Sequence, residues 1–407
     1  MYDVIVVGGG AAGLIAAGTA ASFGKTTLLL EKMPRTARKI LVTGKGRCNV
    51  TNNCDAETVL KNVVSNPKFL YSALKNFSPE DTMSLFEGLG VPLKTERGNR
   101  VFPESDRAMD IADALRRYCD MYGVKVITDT AKELIVSDSE IKGVVSESGK
   151  EYLGASVIVA TGGLSYSKTG SSGDGYRLAK KVGHSIVAPR ASLVGLKISG
   201  GECKQMQGLS LKNTTLSLYS KANGKCVYNE MGEMLFTHFG VSGPVALSAS
   251  AYMSENPQNY YIELDLKPAL SLEMLDSRLC RDFSENINRD FVNSLGALLP
   301  KAMIDVVVAR SKIPAHKKVN QITREERETL CRTIKAMRLE VVGREDIESA
   351  IITAGGIETR EINPKTMESK LVKGLYFAGE VIDVDALTGG FNLQIAFSTG
   401  YTAALNA

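Results

Sequence analysis

The sequence predicts an α/β fold, in which both ends of the chain form a Rossmann-like domain and a second domain is inserted between them. Three observations support this prediction. First, a strand, a glycine-rich turn and a helix open the chain. Second, similar strand–glycine junctions return near the end of the chain. Third, the stretch between them has a different pattern, with short β-type runs followed by helical segments. The predicted Rossmann-like domain therefore comprises residues 1–188 and 348–407, and the inserted domain comprises residues 189–347.

The opening stretch carries the glycine spacing of a dinucleotide-binding turn. The apolar run Asp3–Val7 predicts a short buried strand, and Ala11–Phe23 predicts an alanine-rich helix. Between and just inside them, Gly8, Gly10 and Gly13 stand at G-x-G-x-x-G spacing. The first glycine permits a tight turn, the second lets a pyrophosphate approach the backbone, and the third lets helix and strand pack closely. Because the strand and the helix are both present, the motif predicts a nucleotide site rather than a purely structural turn.

The start of the helix and the acid after the next strand complete this unit. Ala11 and Ala12 begin the helix, where free N–H groups and the positive end of the helix dipole favour phosphate. Thr26–Leu30 predicts a second strand, and Glu31 follows at its tip, where a carboxylate can accept ribose hydroxyls. An acid at this position disfavours the 2′-phosphate of NADP, so these residues indicate FAD or NAD.

A cationic glycine loop, residues 35–53, follows Glu31 directly. Glycines that alternate with cations and small polar residues suit a backbone wrapped around a diphosphate or a polar ring edge, although a solvated basic loop has the same composition. The position after the predicted ribose-binding acid favours the cofactor. Within the loop, Cys48 is predicted to be a small packing residue, because no histidine lies near it in sequence.

Further glycine junctions flank two later strands and the last helix. They are Thr161-Gly162-Gly163 after Ser156–Ala160, Gly379-Glu380 after Leu375–Ala378, and Gly389-Gly390 before the apolar helix Leu393–Leu405. Such junctions bring backbone close to a cofactor at the carboxyl edge of a parallel sheet. FAD needs contacts for its phosphates, ribose, ribityl chain and ring system, whereas NAD in a single Rossmann domain needs no returning C-terminal segment. The architecture therefore favours FAD.

Composition is that of an ordinary globular protein: 407 residues with 44% hydrophobic and 23% charged side chains. A net charge of +4, the absence of Trp and 6% aromatic content give no argument for nucleic-acid binding. The first strand begins at residue 3, which leaves no targeting segment before it, and the following apolar stretch is too short to span a bilayer. Seven scattered cysteines without C-x-x-C and three histidines predict a reduced, cytoplasmic protein without a metal site.

The pattern of apolar and polar residues changes at about residue 189. Short β-type runs separated by Gly- and Ser-rich loops occupy about 189–268, and about 269–347 is predicted to be helical. A basic run in the helical part is a candidate nucleic-acid surface, although interleaved acids make a solvated face an equal explanation. The basic residues are Lys312, His316, Lys317, Lys318, Arg324 and Arg327.

Taken together, the motifs resemble the BaiN-like family of FAD-dependent oxidoreductases, which are two-dinucleotide-binding-domain flavoproteins. The matching segments span the chain in order and include VVGGGAAGLIAA (6–17), GKGRCNVTN (44–52), RVFP (100–103), ATGG (160–163), LFTHFGVSGP (235–244), GLYFAGEVIDVD (374–385) and TGGFNLQIA (388–396). The resemblance implies a discontinuous FAD domain with a β-barrel-like and helical insertion. One family member is described as a 3-dehydro-bile acid Δ4,6-reductase.

The resemblance also implies which segments surround FAD. The residues in them are Gly8, Gly10, Gly13, Glu31, Lys32, Lys39, Gly46, Arg47, Cys48, Asn49, Gly162, Gly163, Gly379, Glu380, Asp385, Asn392 and Leu393, and the junctions above add Ala11, Ala12, Thr161 and Gly390. The sequence departs from the family pattern at Ser167, where proline is expected, at Ala386, where glycine is expected, and at Phe391, where tyrosine is usual. The missing phenol weakens the case for a proton donor at that position.

The leading functional hypothesis is an NAD(P)H-dependent reductase, in which flavin N5 passes hydride to a carbon–carbon double bond conjugated to a carbonyl. The expected partner is a small apolar enone, similar to a steroid or bile acid, without nucleic acid or a membrane span. Tyr166 and His238 are the main candidate proton donors, and Tyr376 is a weaker one. Core packing is an equal explanation for Tyr166, whereas a structural role in its glycine-rich turn is favoured for His238. The alternatives are a flavoprotein that acts on nucleic acid, as in tRNA modification, and a flavin dehydrogenase with another acceptor. Substrate, nicotinamide preference and oligomeric state stay open.

Overall fold

The computed structural model describes residues 1–285 and 287–407, and it divides into two compact units. Unit 1 comprises Met1–Ser192 and Asp346–Ala407, and unit 2 comprises Leu193–Glu345. The predicted domain boundaries, between 188 and 189 and between 347 and 348, lie within a few residues of this division.

The strands and helices follow one another along the chain in α/β order and then, in unit 2, in a β-rich and a helix-rich part. The strands are β1 Tyr2–Val7, β2 Thr27–Glu31, β3 Thr51–Asn52, β4 Leu93–Glu96, β5 Arg100–Pro103, β6 Lys125–Thr128, β7 Ala131–Ser137, β8 Glu140–Ser146, β9 Glu151–Val159, β10 Ile186–Ser192, β11 Leu196–Ile198, β12 Ser210–Ser220, β13 Cys226–Phe236, β14 Gly240–Ser242, β15 Tyr260–Asp265, β16 Met337–Arg344, β17 Ile352–Ile357 and β18 Leu375–Phe377. The helices are α1 Ala11–Ser22, α2 Ala56–Lys61, α3 Tyr71–Asn76, α4 Pro79–Gly88, α5 Ala108–Met121, α6 Asp174–Lys181, α7 Glu202–Gln205, α8 Pro244–Ala251, α9 Leu272–Ser284, α10 Phe291–Ser294, α11 Lys301–Ser311, α12 Arg324–Lys335 and α13 Phe391–Asn406.

Unit 1 is organised on a sheet with the strand order β6-β2-β1-β9-β8-β7, and β18 pairs with the end of β9. Strands β6, β2, β1, β9 and β18 pair in parallel, whereas β7 and β8 are antiparallel. Because a parallel sheet is covered on both faces, its strands are continuous apolar runs, as in β1, where Val4, Ile5 and Val6 are fully buried. The predicted α/β class with a Rossmann-like domain is confirmed.

Small residues bring α13 against α1, so that the end of the chain completes the domain formed by its beginning. A Cβ on Gly400 of α13 would overlap the carbonyl oxygen of Ala12 in α1, and a Cβ on Gly18 would overlap the ring of Tyr118 in α5. Glycines are therefore required where α1 packs closely against α13 and α5.

Unit 2 contains a closed barrel with the strand order β11-β14-β13-β12-β15-β16. Its strands alternate, so that Leu216 and Ile262 are buried inside, whereas the rings of Tyr219 and Tyr261 stack outside at 5.1 Å between centroids. The two ends of the unit are hydrogen-bonded to each other, because the Glu345 N–H donates to the Gly195 carbonyl at 3.0 Å.

The predicted helical part, about 269–347, is wrong at its end, where the chain forms β16. In this strand Met337, Leu339 and Val341 are buried, whereas Arg338 is exposed and Glu340 is partly buried. This period of two closes the barrel between β15 and β11. The preceding helix α12 ends only two residues earlier, so the change from a helical to a strand period falls within too short a window to be visible in sequence.

Across residues 1–285 and 287–407, no helix is long and apolar enough to cross a membrane. In the same ranges, the cysteines are unpaired and no cluster of three His, Cys, Asp or Glu side chains could hold a metal ion.

Candidate cofactor site

The N-terminus of α1 is open, because no side chain of the described residues caps it. Gly10 is the N-cap residue, and a Cβ at this position would meet nothing within 4 Å. The first helical residues, Ala11 and Ala12, therefore present backbone N–H groups to free space. An uncapped helix start without an acid in its first turn is suited to an anion such as a pyrophosphate.

The other two glycines of the motif serve close packing. Gly8 has a φ of +102°, and a Cβ on it would lie 2.6 Å from the carbonyl oxygen of Ala160 at the end of β9. A Cβ on Gly13 would overlap the carbonyl oxygen of Gly8. Gly10 thus leaves the space before the helix open, whereas Gly8 and Gly13 allow the strand, the turn and the helix to pack closely.

Glu31 ends β2 with its carboxylate turned back to the glycine turn. Its Oε2 accepts a hydrogen bond from the Gly9 N–H at 2.7 Å, and its Oε1 accepts one from the Met33 N–H at 2.7 Å. Each carboxylate oxygen can accept a second hydrogen bond, so ribose hydroxyls can bind without displacing the backbone donors. The neighbouring Lys32 is engaged elsewhere, since its Nζ lies 2.6 Å from Asp174 Oδ2 at the start of α6.

A partly buried ion pair joins several strand ends at the carboxyl edge of the sheet. Lys39 Nζ lies 2.6 Å from Glu380 Oε2 and 2.6 Å from Ser165 Oγ. Glu380 Oε1 accepts a further hydrogen bond from the Thr353 N–H at 2.8 Å. A Cβ on Gly163 would lie 2.8 Å from Glu380 Oε1, so this glycine lets the loop after β9 approach the carboxylate. Lys39 and Glu380 therefore bind each other and fix this edge of the sheet.

The loop predicted to wrap the cofactor contains several left-handed residues. Gly44, Lys45, Gly46 and Cys48 have φ values of +55°, +58°, +83° and +60°. Such conformations are unfavourable for Lys and Cys and persist only where surrounding contacts impose them. Burial raises the pKa of the Cys48 thiol to about 12, so it stays protonated and packs in the core.

Arg47 holds this loop through ion pairs. Its guanidinium donates to Glu96 and to Asp106, with 2.8 Å between Nε and Asp106 Oδ1, and it stacks 4.2 Å above the centre of the Phe102 ring. The hydrogen bonds from Arg47 lower the pKa of Glu96, and those from Lys94 and Arg47 lower the pKa of Asp106. Arg47 thus anchors the loop to β4 and to the segment before α5, a role that its sequence neighbours do not reveal.

Two further glycines bring the strand ends together. Gly162, with a φ of +73°, follows β9, and a Cβ on it would lie 2.9 Å from Ser171 Oγ. Gly379, with a φ of +75°, follows β18, and a Cβ on it would lie 2.8 Å from the Cβ of Ala12. Gly379 therefore places the end of β18 beside the open start of α1.

The turn before α13 packs against β3. Gly390 is the N-cap of α13 with a φ of +99°, and a Cβ on it would overlap the carbonyl of Thr51. Asn52 Nδ2 donates to the Gly389 carbonyl at 3.0 Å. Asn392 closes the same turn, since its Oδ1 accepts from the Ala386 N–H at 2.9 Å and its Nδ2 donates to the Ala386 carbonyl at 2.7 Å. Its neighbour Leu393 is partly buried and packs on the core.

Gln394, which the sequence analysis did not single out, ties α13 to the rest of unit 1. Its Oε1 accepts from Thr51 Oγ1 at 2.6 Å and from Thr82 Oγ1 at 2.8 Å. Its Nε2 donates to the Phe77 carbonyl at 3.1 Å and to Ser398 Oγ at 3.0 Å. The amide is fully buried and uses all of its hydrogen-bonding capacity. A glutamine on the buried face of an apolar helix is the signal that could have found it.

Several polar atoms around this edge are buried and have no hydrogen-bond partner within residues 1–285 and 287–407. They include Thr36 Oγ1, Asn49 Oδ1, Thr161 Oγ1 and Asp385 Oδ1. Buried unpaired groups are rare in folded proteins and are usually completed by a ligand or an ordered water. Together with the open start of α1 and the carboxylate of Glu31, this donor and acceptor set fits a dinucleotide such as FAD.

The two main candidate proton donors lie in different units. Tyr166 of unit 1 is partly buried and has a φ of +53°, and its carbonyl accepts from the Thr169 N–H at 2.8 Å. His238 of unit 2 is exposed, and its ring packs edge-on against Phe239 at 5.1 Å. A tyrosine in a left-handed conformation is strained, and strained residues concentrate at functional sites.

The chain matches the family model described as HI0933-like protein Rossmann domain over residues 2–406. The chain belongs to this family. The HI0933-like match covers both parts of unit 1 and the whole of unit 2, so it applies to the insertion as well as to the Rossmann-like domain.

Curated relatives of this HI0933-like chain carry two kinds of name. The chain is 32% identical to the ribosomal RNA dihydrouridine synthase of Haemophilus influenzae, covering 99% of this chain and 97% of the relative. It is 30% identical to the 3-dehydro-bile acid delta(4,6)-reductase of Clostridium scindens, covering 99% of this chain and 98% of the relative.

A solved structure with the same fold is 3-ketosteroid delta1-dehydrogenase from Sterolibacterium denitrificans in complex with 1,4-androstadiene-3,17-dione. It has a TM-score of 0.51 and 14% identity, and the alignment covers 99% of this chain and 98% of that chain. This likeness shows the fold. The family and its relatives confirm the predicted resemblance to BaiN-like proteins, and they make the chain an enzyme, an FAD-dependent oxidoreductase of the flavoprotein class.

The basic run in unit 2 of this HI0933-like protein is largely neutralised by ion pairs. Lys317 Nζ lies 2.7 Å from Glu326 Oε1, and Lys318 Nζ lies 2.7 Å from Asp290 Oδ1. Arg327 is likewise paired with Asp276. Several cations of the run therefore lie in ion pairs on a solvated face.

Proposed function

We propose that the protein is an FAD-dependent reductase that adds hydrogen across a carbon–carbon double bond conjugated to a carbonyl. One observation carries this proposal: the two kinds of relative are named for the same bond change. A 3-oxo-Δ4,6 steroid and the uracil ring both contain a carbon–carbon double bond conjugated to a carbonyl, and both named activities saturate such a bond. We propose NAD(P)H as the electron donor.

In this proposal the residues of unit 1 bind the cofactor and orient it. When bound, FAD supplies the hydride chemistry. The backbone N–H groups at the start of α1, beside Gly10, bind the pyrophosphate, and Glu31 accepts the ribose hydroxyls. The turn at Gly389-Gly390 and the start of α13 would hold the ring end of the cofactor. The ion pair of Lys39 and Glu380 keeps the strand ends in register.

Tyr166 is the better supported of the two main candidate proton donors. Its partly buried side chain follows the glycine junction after β9, on a strained left-handed backbone. The phenol would deliver a proton to the carbon next to the carbonyl, while hydride reaches the far carbon of the double bond. His238 is exposed on unit 2, and its ring packs edge-on against Phe239.

Two substrate classes follow from the relatives. A small apolar enone is favoured by the 3-dehydro-bile acid relative. A uracil base in ribosomal RNA is the second candidate, because relatives in Haemophilus influenzae and Escherichia coli, at 32% and 31% identity, are named for it.

Anaerobic half-reactions test the proposal and separate the two classes. NADH or NADPH is expected to bleach the flavin of the purified holoprotein, and mixing with a 3-oxo-Δ4,6 steroid is expected to restore its absorbance. A saturated 3-oxo steroid serves as the matched control and should leave the flavin reduced. Reoxidation only by ribosomal RNA that lacks dihydrouridine would establish the second class. Failure of both acceptors would overturn the reductase assignment.

A further inference from the structure

Arg190 of β10 is a partly buried cation without a protein partner. Its guanidinium forms no hydrogen bond and no ion pair with the residues that the structure describes. By contrast, Arg35 and Arg47 of unit 1 are bound to carboxylates. A guanidinium has five N–H donors in a planar fork, so Arg190 can still bind an oxygen atom of a ligand.

A β-bulge comes directly before Arg190. Between Val187 and Arg190 the pairing of β10 with β17 shifts register. Gly355 of β17 accommodates this bulge, since its φ is +85° and a Cβ on it would lie 2.5 Å from the carbonyl oxygen of Ala188. Bulges redirect side chains and are over-represented beside active sites. The backbone therefore fixes the direction in which the Arg190 side chain leaves the strand.

Arg190 lies on the face of β10 that is turned to the acidic segment after β18. It shares this face with Ser192, because side chains alternate along a strand and the pairing is regular between these two residues. Ser192 Oγ donates to Asp385 Oδ2 at 2.9 Å. Burial raises the pKa of Asp383 and of Asp385, and the charge of Arg190 opposes both rises. The guanidinium is therefore near both carboxyl groups without a hydrogen bond to either.

Strand β17 connects Arg190 to the edge of the sheet at which the cofactor is proposed to bind. Thr353 donates its N–H to Glu380 Oε1 at 2.8 Å, and Arg190 pairs with the next residue of β17. Thr353 Oγ1 also accepts from the Ser165 N–H at 3.1 Å, in the loop that carries Tyr166. The strand with Arg190 and the loop with the proposed proton donor are thus bound to neighbouring positions of β17.

Reduction of a conjugated enone places negative charge on the carbonyl oxygen. Hydride from the reduced cofactor brings an electron pair to the far carbon, and the double-bond electrons move onto that oxygen to give an enolate. A proton then reaches the near carbon, and the carbonyl re-forms. A positively charged donor fixed beside the oxygen stabilises this charge as it develops. A 3-oxo steroid and a uracil ring both have such a carbonyl.

We propose that Arg190 is a catalytic residue of this reduction, and that two N–H groups of its guanidinium bind the carbonyl oxygen of the acceptor. This inference rests on the proposed reductase function and applies to both substrate classes. Arg190 holds the enolate oxygen, while Tyr166 gives its proton to the near carbon and regains one from solvent. Arg190 itself stays protonated throughout.

Binding of a phenolate to the oxidised holoprotein tests this role without turnover. 4-Nitrophenolate carries its charge on an oxygen attached to an unsaturated carbon, as an enolate does, and its visible absorbance reports binding. The wild type is expected to bind this probe, and Arg190→Gln is expected to bind it at least about tenfold more weakly. Equal affinity in the two proteins, or no saturable binding by the wild type, would overturn the proposal.

Two controls show whether the charge of the probe and the position of the arginine are what matter. 4-Nitroanisole, a neutral ether of similar shape, should bind equally to the wild type and to Arg190→Gln. Arg116→Gln removes a charge from an exposed position on α5 and should bind 4-nitrophenolate as the wild type does. A loss of affinity in Arg116→Gln equal to that in Arg190→Gln would assign the effect to net charge and contradict a site at Arg190.

Arg190→Lys keeps the test decisive if Arg190→Gln does not fold. Lysine retains the charge but lacks the planar fork, so phenolate binding should be weaker than in the wild type while the flavin content is unchanged. Wild-type affinity in Arg190→Lys would rule out binding through two N–H groups.

Reoxidation of chemically reduced flavin separates this inference from the proposed function. The flavin is reduced with dithionite, so the measurement is independent of the electron donor, and an acceptor that reoxidises the wild type is then added. Reoxidation in Arg190→Gln should be at least about a hundredfold slower. If no acceptor reoxidises the wild type, the reductase function fails while the phenolate titration still decides the role of Arg190. If Arg190→Gln keeps the wild-type rate, the function stands and the role of Arg190 fails.

Discussion

Helices α1 and α13 both begin after glycines at the same edge of unit 1, yet their N-termini are built in opposite ways. At α1, Gly10 faces empty space, and the backbone itself forms the surface. At α13, Gly390 is pressed against the carbonyl of Thr51, and Gln394 binds side chains from distant segments. The first is an open anion site defined locally, whereas the second is a helix start held by long-range contacts.

Because of this difference, substitutions at the two helix starts should affect different properties of the protein, namely cofactor affinity and stability. A substitution at the open helix start should change affinity for the cofactor and leave the protein folded. A substitution at the packed helix start should destabilise the protein before it changes any contact with a ligand.

The largest expected effect is at the packed start of α13. Gly390→Ala introduces a Cβ that overlaps the Thr51 carbonyl, on a backbone with a φ of +99°. Strain and overlap together should cost about 4 kcal/mol of the free energy of unfolding. Urea denaturation of the cofactor-free protein measures this cost. A variant as stable as the wild type would show that the start of α13 can accommodate the added methyl group without strain.

The next largest effect is expected from Gln394→Leu. The substitution leaves the hydroxyl of Thr51 without its partner. It also removes one of two hydrogen bonds at the Thr82 hydroxyl and at the Phe77 carbonyl, which keep the Ser78 carbonyl and Ser398 Oγ as partners. We expect a loss of about 3 kcal/mol in the free energy of unfolding.

Gln394→Glu is the matched control, again followed by urea denaturation. A carboxylate still accepts from both threonine hydroxyls but cannot donate to Phe77 or Ser398. Equal stability of the Leu and Glu variants and the wild type would break the distinction between the two helix starts.

At the open start of α1, the effect should fall on binding alone. Gly10→Ala places a methyl group in the space in front of the helix, where the pyrophosphate is expected. Affinity for FAD should fall at least about tenfold, while the unfolding midpoint of the cofactor-free protein moves little, because no protein atom lies within 4 Å of the new Cβ.

Gly88→Ala is the control for this prediction, since its Cβ also meets nothing within 4 Å but lies at the end of α4. Titration with FAD, followed by flavin fluorescence, compares the two variants. Equal affinity in both would contradict an anion site at α1.

The smallest effect concerns the segment that leads to β18. Buried His184 lies 3.1 Å through Nδ1 from Glu361 Oε2 and 2.8 Å through Nε2 from Ser369 Oγ. Burial lowers the pKa of His184, although Glu361 opposes the shift. The folded protein therefore binds this proton less readily than the unfolded chain does. Its contribution to stability is full above the unfolded pKa of about 6.5 and is lost as the pH falls below it.

A separate loss at lower pH is expected from Glu361, because hydrogen bonds from Ser185 and the charge of His184 lower its pKa despite burial. Thermal denaturation between pH 7 and pH 5 should show the first loss in the wild type and a flatter dependence in His184→Gln. The same slope in both proteins would assign the loss to other groups.

The open half of the site could be predicted because its determinants are local. A strand, spaced glycines, a helix and an acid lie within Tyr2–Glu31, and their roles follow from spacing alone. The packed half could not, because Thr51 and Gln394 are far apart in sequence and meet only in the fold. Arg47 illustrates the same limit. The composition of its loop suggests that this side chain binds a diphosphate, but its partners Glu96 and Asp106 lie far along the chain.

The fold class could be predicted from apolar runs and glycine junctions, since a buried parallel sheet requires both. The closing strand of the barrel, β16, could not, because it begins only two residues after the end of α12 and the change of period falls within a short window. The pairing of β16 with β11 joins the two extremes of the insertion, and no local pattern records such a contact.

The hydrogen bond between Gly195 and Glu345 affects how the inserted unit can change in length and sequence during evolution. The two ends of unit 2 meet, so this unit is a closed insertion in the chain. The entropic cost of closing such an insertion rises only slowly with the number of residues in it. The barrel and its helices can therefore be lengthened, shortened or exchanged while the entry and exit points stay fixed. A chain built in this way can vary its inserted unit while the Rossmann-like domain formed by its two ends keeps its own contacts.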